Sequence, residues 1–293
     1  MEKSQYILEI SNMNKSMKKK QILDNITYQI ETNKIVGLVG ENGAGKTMFF
    51  RGILNNIVLD SGTVKVKGYD VTKERKKALK NVAALLEYPK FHDKLTGREN
   101  LELFQLFYQE AGADINEIAE ILQMEQYLDK KVVQYSLGMK QNLGLARTLL
   151  ASPNFLILDE PYNALDEKFS ENLDKLILKL YQQGATVMIS SHDLNKVQTI
   201  AQEVIILENG RIKNVLSGND LISEESNYTI WYTGNLGEEV IRRLQIMPCK
   251  VLEIEKCYIK IKTDDDIADI IALLYKNGLG ITKLTRNDIQ EKI

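Results

Sequence analysis

The residues Gly40-Glu41-Asn42-Gly43-Ala44-Gly45-Lys46-Thr47 follow the pattern G-x-x-x-x-G-K-[ST]. Glycines at that spacing let the backbone fold into a nest whose N–H groups converge on an anion. A helix starting at the lysine adds the partial positive charge of its N-terminus. The chemistry such a loop supports is the cradling of nucleotide phosphates, with Lys46 reaching the β and γ groups and the Thr47 hydroxyl placed for Mg2+. A second candidate is Phe155-Leu156-Ile157-Leu158-Asp159-Glu160, four apolar residues ending in two carboxylates. Asp159 is suited to the Mg2+ shell, and Glu160 to orienting or deprotonating an attacking water. Successive strand residues point to opposite sides, so the two acids need not share a task.

These groups need elements that present them. Lys34–Val39 is a short apolar run, as expected of a strand buried on both faces, and a helix with the pattern Lys46–Leu54 follows the loop. Phe155–Leu158 and Ala185–Ile189 read as two more buried strands, separated by the amphipathic stretch Asp166–Tyr181. Alternation of buried strands with helices predicts a mostly parallel sheet covered on both faces. Ahead of it, Tyr6–Ile10 and Ile22–Ile30 alternate like half-buried antiparallel strands. From Thr96 to Leu150 the period becomes helical, with Leu101, Phe104, Leu106 and Phe107 mostly on one face and a second helix over Met139–Leu150. Glu208-Asn209-Gly210-Arg211 reads as a hairpin turn.

The texture changes near residue 226. Strands are expected at Tyr228–Tyr232, Val251–Glu255, Tyr258–Lys262 and Ile281–Leu284, with helices at Gly237–Leu244 and Asp264–Tyr275 and a helix stop at Gly278. The order β-α-β-β-α-β is the split βαβ arrangement of ferredoxin-like domains.

The bulk properties agree with an ordinary globular protein. Of 293 residues, 44% are hydrophobic and 27% charged, enough for a large core and a smaller one. A formal charge of −2 gives no global basic footprint, so no nucleic-acid partner is expected. The runs Lys18-Lys19-Lys20 and Lys73–Lys80 read as solvated faces. Cys249 and Cys257 have neither the spacing nor the neighbours of a zinc or redox site and are expected as free thiols. With no signal-peptide core and no membrane-spanning run, the chain is expected in the cytoplasm.

Four segments together carry a family resemblance: GENGAGKT, YSLGMKQ (Tyr135–Gln141), LILDEPYNALD (Leu156–Asp166) and SSHD (Ser190–Asp193). In this order they resemble the nucleotide-binding domains of ABC transporters. The resemblance implies an α/β fold: a P-loop NTPase core of ABC type with an antiparallel β subdomain and a helical subdomain over 1–222, followed by a small α+β domain over 226–293. It implies ATP and Mg2+ as ligands. Nucleotide contacts are carried over to Met17, Asn42, Gly43, Ala44, Gly45, Lys46, Thr47 and Met48, and, from across a dimer, to Ser136, Gly138 and Asp166. Metal contacts fall on Thr47, Glu87 and Asp159, and catalytic roles on Lys46, Glu160 and His192.

Read by themselves, Ser136 and Asp166 also suit helix caps, and His192 a structural histidine. Departures from the family pattern are Met17 for the aromatic that stacks on adenine, Glu87 for a glutamine, Leu137 and Met139 within the signature segment, and Asn142 for a basic residue. Ala84–Glu87 followed by Leu95–Asn100 is similar to exporter ATPases for antibiotics and antimicrobial peptides. The implied partners are a separate transmembrane permease, touched by Glu87–Asn100, and a second ATPase subunit, identical or different, so that the chain sits on the inner face of the membrane. Two other functions stay open: a soluble ABC-type ATPase acting on ribosomes or DNA, and a regulatory subunit that binds ATP without hydrolysing it.

Overall fold

The computed structural model describes residues 5–86, 90–107, 113–163, 167–217, 226–247, 249–263 and 267–286. The chain divides into two compact units, Met1–Ser217 and Gly218–Ile293.

In the first unit, β1 (Tyr6–Met17) and β2 (Lys20–Glu31) form a long antiparallel hairpin joined in sheet order β2-β1-β4-β5 to β4 (Ser61–Val66) and β5 (Tyr69–Asp70). Strand β1 runs seven residues past the expected end at Ile10. Register shifts between Ile10 and Met13, with Asn12 at φ +50°, break the alternation on which the shorter expectation rested. The hairpin closes through Lys18 and Lys19, both at positive φ as a two-residue turn requires, and both exposed.

The central sheet has the order β10-β9-β3-β8-β7-β6. Its strands are β3 (Ile35–Val39), β6 (Val82–Leu85), β7 (Phe155–Leu158), β8 (Thr186–Ser191), β9 (Glu203–Glu208) and β10 (Arg211–Ser217). All neighbours pair in parallel except β9 with β10, which form the hairpin expected at Asn209-Gly210. Strand β6, a four-residue run, had no signal of its own in the sequence. Helix α1 (Lys46–Ile53) fills the space between the two sheets, where Phe49, Phe50 and Ile53 are fully buried among Leu8, Met13, Leu23, Phe155 and Ile157. Each such side chain contributes about 1.5–3 kcal/mol by leaving water.

The helical part contains α2 (Arg75–Ala78), α3 (Gly97–Gln105), α4 (Ile115–Ile121) and α5 (Leu137–Leu149). Helix α3 opens on a capping box formed by Thr96 and Glu99. It ends at Gln105, so Leu106 and Phe107 leave the helical face on which the spacing placed them, and each is 80% exposed, while Leu101 is buried. Helices α6 (Glu167–Gln182) and α7 (Leu194–Gln198) follow β7 and β8.

The second unit consists of β11 (Ser226–Thr233), α8 (Glu238–Ile246), β12 (Cys249–Ile254), β13 (Tyr258–Thr263), α9 (Ile267–Lys276) and β14 (Gly280–Arg286). Strands β11 and β12, linked through α8, are separated in the sheet by β13, which is the split βαβ topology. Ile230, Tyr232, Ile259 and Ile261, at alternate strand positions, pack on Val240, Leu244, Ile270 and Leu274 of the helices. Both cysteines are free thiols. Among the described residues no helix is long and apolar enough to cross a membrane.

Candidate functional site

Three neighbouring parallel strands, β3, β8 and β7, end at the same edge of the sheet, where crevices of open α/β sheets form. Gly40 follows β3, Asp159 and Glu160 follow β7, and His192 follows β8. The loop after β3 closes on α1, which has no side-chain cap at Gly45 and no acid in its first turn, so its N-terminus is open to an anion. Gly45 has φ +109°, and a Cβ there would lie 2.9 Å from the Ile22 carbonyl oxygen, so only glycine fits. The hairpin β9–β10 braces the loop from behind, with the Gly210 N–H donating to the Ala44 carbonyl at 3.0 Å.

Lys46 is 6% exposed, and its ammonium donates to the carbonyls of Gly40 at 2.5 Å and Glu41 at 3.1 Å. Glu160 Oε1 stands 3.1 Å from Lys46 Nζ, yet it is a buried oxygen with no aligned hydrogen bond, so this contact is one of charge. Glu160 Oε2 lies 3.1 Å from His192 Nδ1. The Thr47 hydroxyl donates to Asp159 Oδ2 at 2.6 Å. Lys46, Thr47, Asp159, Glu160 and His192 thus form one group.

Simple strand alternation would send Asp159 and Glu160 to opposite sides. Instead β7 ends at Leu158 and Glu160 adopts φ +48°, so both acids reach the same phosphate loop, Asp159 at Thr47 and Glu160 at Lys46. For a non-glycine residue this left-handed conformation is uncommon and costs about 1 kcal/mol or more. Ser190, fully buried on β8, accepts from the Glu160 N–H at 2.8 Å and donates to Asp159 Oδ1 at 2.6 Å. In the sequence Ser190 carries no signal beyond membership of the segment SSHD.

Mg2+ fits this donor set. Among the described residues no cluster of three His, Cys, Asp or Glu side chains could cage a metal. A hydroxyl and a carboxylate oxygen meeting beside a phosphate loop are what Mg2+ takes from protein when phosphates and water complete its shell.

Ser136 is exposed and caps α5, its hydroxyl accepting from the Met139 N–H at 3.2 Å. No described hydrogen bond or ion pair joins Ser136 or Gly138 to the group above. The same helix nevertheless touches the loop that follows Glu160, because buried Gln141 donates from Nε2 to the Pro161 carbonyl at 2.8 Å. Asn142, also buried, donates to the Tyr127 hydroxyl at 3.2 Å, which explains an uncharged residue there. Pro161 is followed by Tyr162, whose hydroxyl donates to Asp174 at 2.6 Å. Burial is the main cause that raises both the Tyr162 and the Asp174 pKa, and the charge of Asp174 adds to the first.

Met17, half exposed, ends the strand β1 whose partner β2 supplies the Ile22 carbonyl against Gly45. Asn42 and Gly43 are exposed, Ala44 buried and Met48 half-buried in the loop and first turn. Glu87 and Asp166 lie outside the described residues.

Comparison with known proteins gives a consistent picture. The family model described as ABC transporter matches residues 23–163. The ABC transporter ATP-binding protein YdbJ of Bacillus subtilis (strain 168) is 35% identical over 241 residues, 78% of this chain and 78% of that protein. The bacitracin transport ATP-binding protein BcrA of Bacillus licheniformis is 29% identical over 290 residues, 96% of this chain and 94% of its own length. A solved structure described as the ATP binding subunit of an ABC transporter superposes with a TM-score of 0.67 at 25% identity, covering 73% of this chain and 91% of that one.

Proposed function

The chain belongs to the ABC transporter ATP-binding proteins, and from that premise we propose that it is the ATP-hydrolysing motor subunit of an exporter for an antibiotic or antimicrobial peptide. The observation that carries the motor reading is the convergence of Lys46, Thr47, Asp159, Glu160 and His192 at the ends of three adjacent strands. The exporter reading is supported by similarity to a bacitracin transport protein over 96% of the chain, the second unit included.

Phosphates of ATP enter the nest at the start of α1, and the γ-phosphate competes with the Gly40 and Glu41 carbonyls and with Glu160 for the Lys46 ammonium. Lys46 then offsets the charge of the transferred group, and Glu160 is released to orient a water and take its proton. His192, already in contact with Glu160, holds the other side of the γ-phosphate. Thr47 and Asp159 would hold Mg2+, which when bound would neutralise charge developing on the phosphates. Ser136 and Gly138 at the N-terminus of α5 face the ATP of a second, identical or different, subunit. ATP drives closure of the dimer because it binds the closed state better than the open one. Closure moves a separate membrane-spanning permease, which keeps this chain at the inner face of the membrane.

Glu160→Gln tests the central step. It keeps the shape and removes the base, so hydrolysis should fall at least 100-fold while ATP-dependent dimers accumulate in size-exclusion chromatography. Hydrolysis at the unaltered rate would overturn the assignment. Copurification from membranes with a multi-span protein checks the permease.

A further inference from the structure

The hydroxyl of Ser190 is bonded to both acidic residues of the site, and no described hydrogen bond joins it to the phosphate loop. Register explains the placement: β7 and β8 pair in parallel with Leu158 opposite Ile189, so the next residue on β8 comes to lie beside the turn that carries Asp159 and Glu160. Ser190 is fully buried, and its one hydroxyl both donates and accepts. Donation to Asp159 Oδ1 orients that carboxylate so that Oδ2 faces Thr47. Acceptance from the Glu160 N–H holds the backbone at φ +48°, the conformation that turns Glu160 toward Lys46 and His192.

We propose that Ser190 is the positioning residue of this site: one buried hydroxyl sets the metal-side carboxylate and the water-side carboxylate together. The inference rests on the assignment of Asp159 to Mg2+ and Glu160 to water. A hydroxyl is required because both directions of hydrogen bonding are used at once. Alanine supplies neither, and it leaves a carboxylate oxygen and a backbone N–H without that partner. Groups that orient a metal ligand change metal affinity or activity by about 10–100-fold when removed.

The test compares Ser190→Ala with Ser190→Thr, which keeps the hydroxyl, in the full chain. Two quantities are read: the gain in ADP affinity when Mn2+ is added, and kcat and KM for ATP. In Ser190→Ala the Mn2+-dependent gain should shrink about 10–100-fold and kcat should fall by a similar factor. ADP affinity in EDTA should stay within about threefold, because the phosphate loop is untouched, while KM for ATP, read with metal present, should rise as the metal-dependent gain is lost. Ser190→Thr should restore most of both quantities. The proposal is overturned if Ser190→Ala matches the unaltered chain in metal response and kcat. Equal loss of ADP affinity in EDTA overturns it too, since that signals general damage, as does a threonine variant that folds, by its thermal melt, and behaves like alanine. Should the unaltered chain bind Mn2+–ADP and hydrolyse nothing, the proposed hydrolysis fails, while the metal comparison still judges Ser190.

Discussion

The phosphate loop is held from behind by a turn, and that turn can be loosened without touching the site. Gly210 has φ +78° and sits between two backbones, donating to the Ala44 carbonyl at 3.0 Å and accepting from the Asp24 N–H at 2.8 Å. A Cβ on it would collide with the Ile22 carbonyl oxygen and lie 2.8 Å from the carbonyl carbon, so in Gly210→Ala the turn must retreat. Gly184 is the control, with φ +91° and nothing within 4 Å of a built Cβ. Gly184→Ala therefore meets only the left-handed penalty, about 1 kcal/mol. Gly210→Ala meets the same penalty and loses two hydrogen bonds worth about 1 kcal/mol each, about 3 kcal/mol in all. The part carried by the Ala44 bond, about 1 kcal/mol, should lower nucleotide affinity about fivefold. Urea denaturation followed by far-UV circular dichroism measures the stability of both variants. The chain's single tryptophan, Trp231, lies in the second unit and cannot serve as the probe of the first. A fluorescent ATP analogue measures the affinity. Equal destabilisation of the two variants, or unchanged affinity in Gly210→Ala, would refute the bracing argument.

Two further predictions concern the loop beyond Glu160. Gln141→Leu removes at once the donor used by the Pro161 carbonyl and a buried Oε1 that has no partner, so it should cost no more than about 1 kcal/mol. Gln141→Glu sets a buried carboxylate against that carbonyl and should cost about 3 kcal/mol or more, so the reverse order in urea denaturation would contradict the geometry. Asp174 has its pKa raised from the ordinary 3.8, chiefly by burial, so its contribution to stability is full below 3.8 and is lost as pH rises through the folded value. Thermal melts from acid to neutral pH should therefore show the unaltered chain losing ground to Asp174→Asn as pH rises, and a constant difference would argue against that cause.

What the sequence determined by itself was local chemistry. Gly40–Thr47 specifies a phosphate nest because its glycines and its lysine sit within one turn of chain, and the apolar runs Ile35–Val39 and Phe155–Leu158 declare strands buried on both faces. The alternation of Ile230, Tyr232, Ile259 and Ile261 likewise declared the second unit's sheet. Length and register were less legible: β1 ran on past Ile10 through bulges that erase a period of two, and β6 was too short to show a period. Only tertiary structure decided which groups meet. Motif chemistry already assigned Thr47 and Asp159, 112 residues apart in the chain, to one metal, but that the hydroxyl donates directly to Asp159 Oδ2 is seen only in the fold. Parallel pairing of β7 with β8 puts Ser190 beside both acids, and the left-handed turn at Glu160 brings to one site two side chains that strand alternation would part. A hydrogen bond across strands depends on register, and register is set by the packing of the whole sheet.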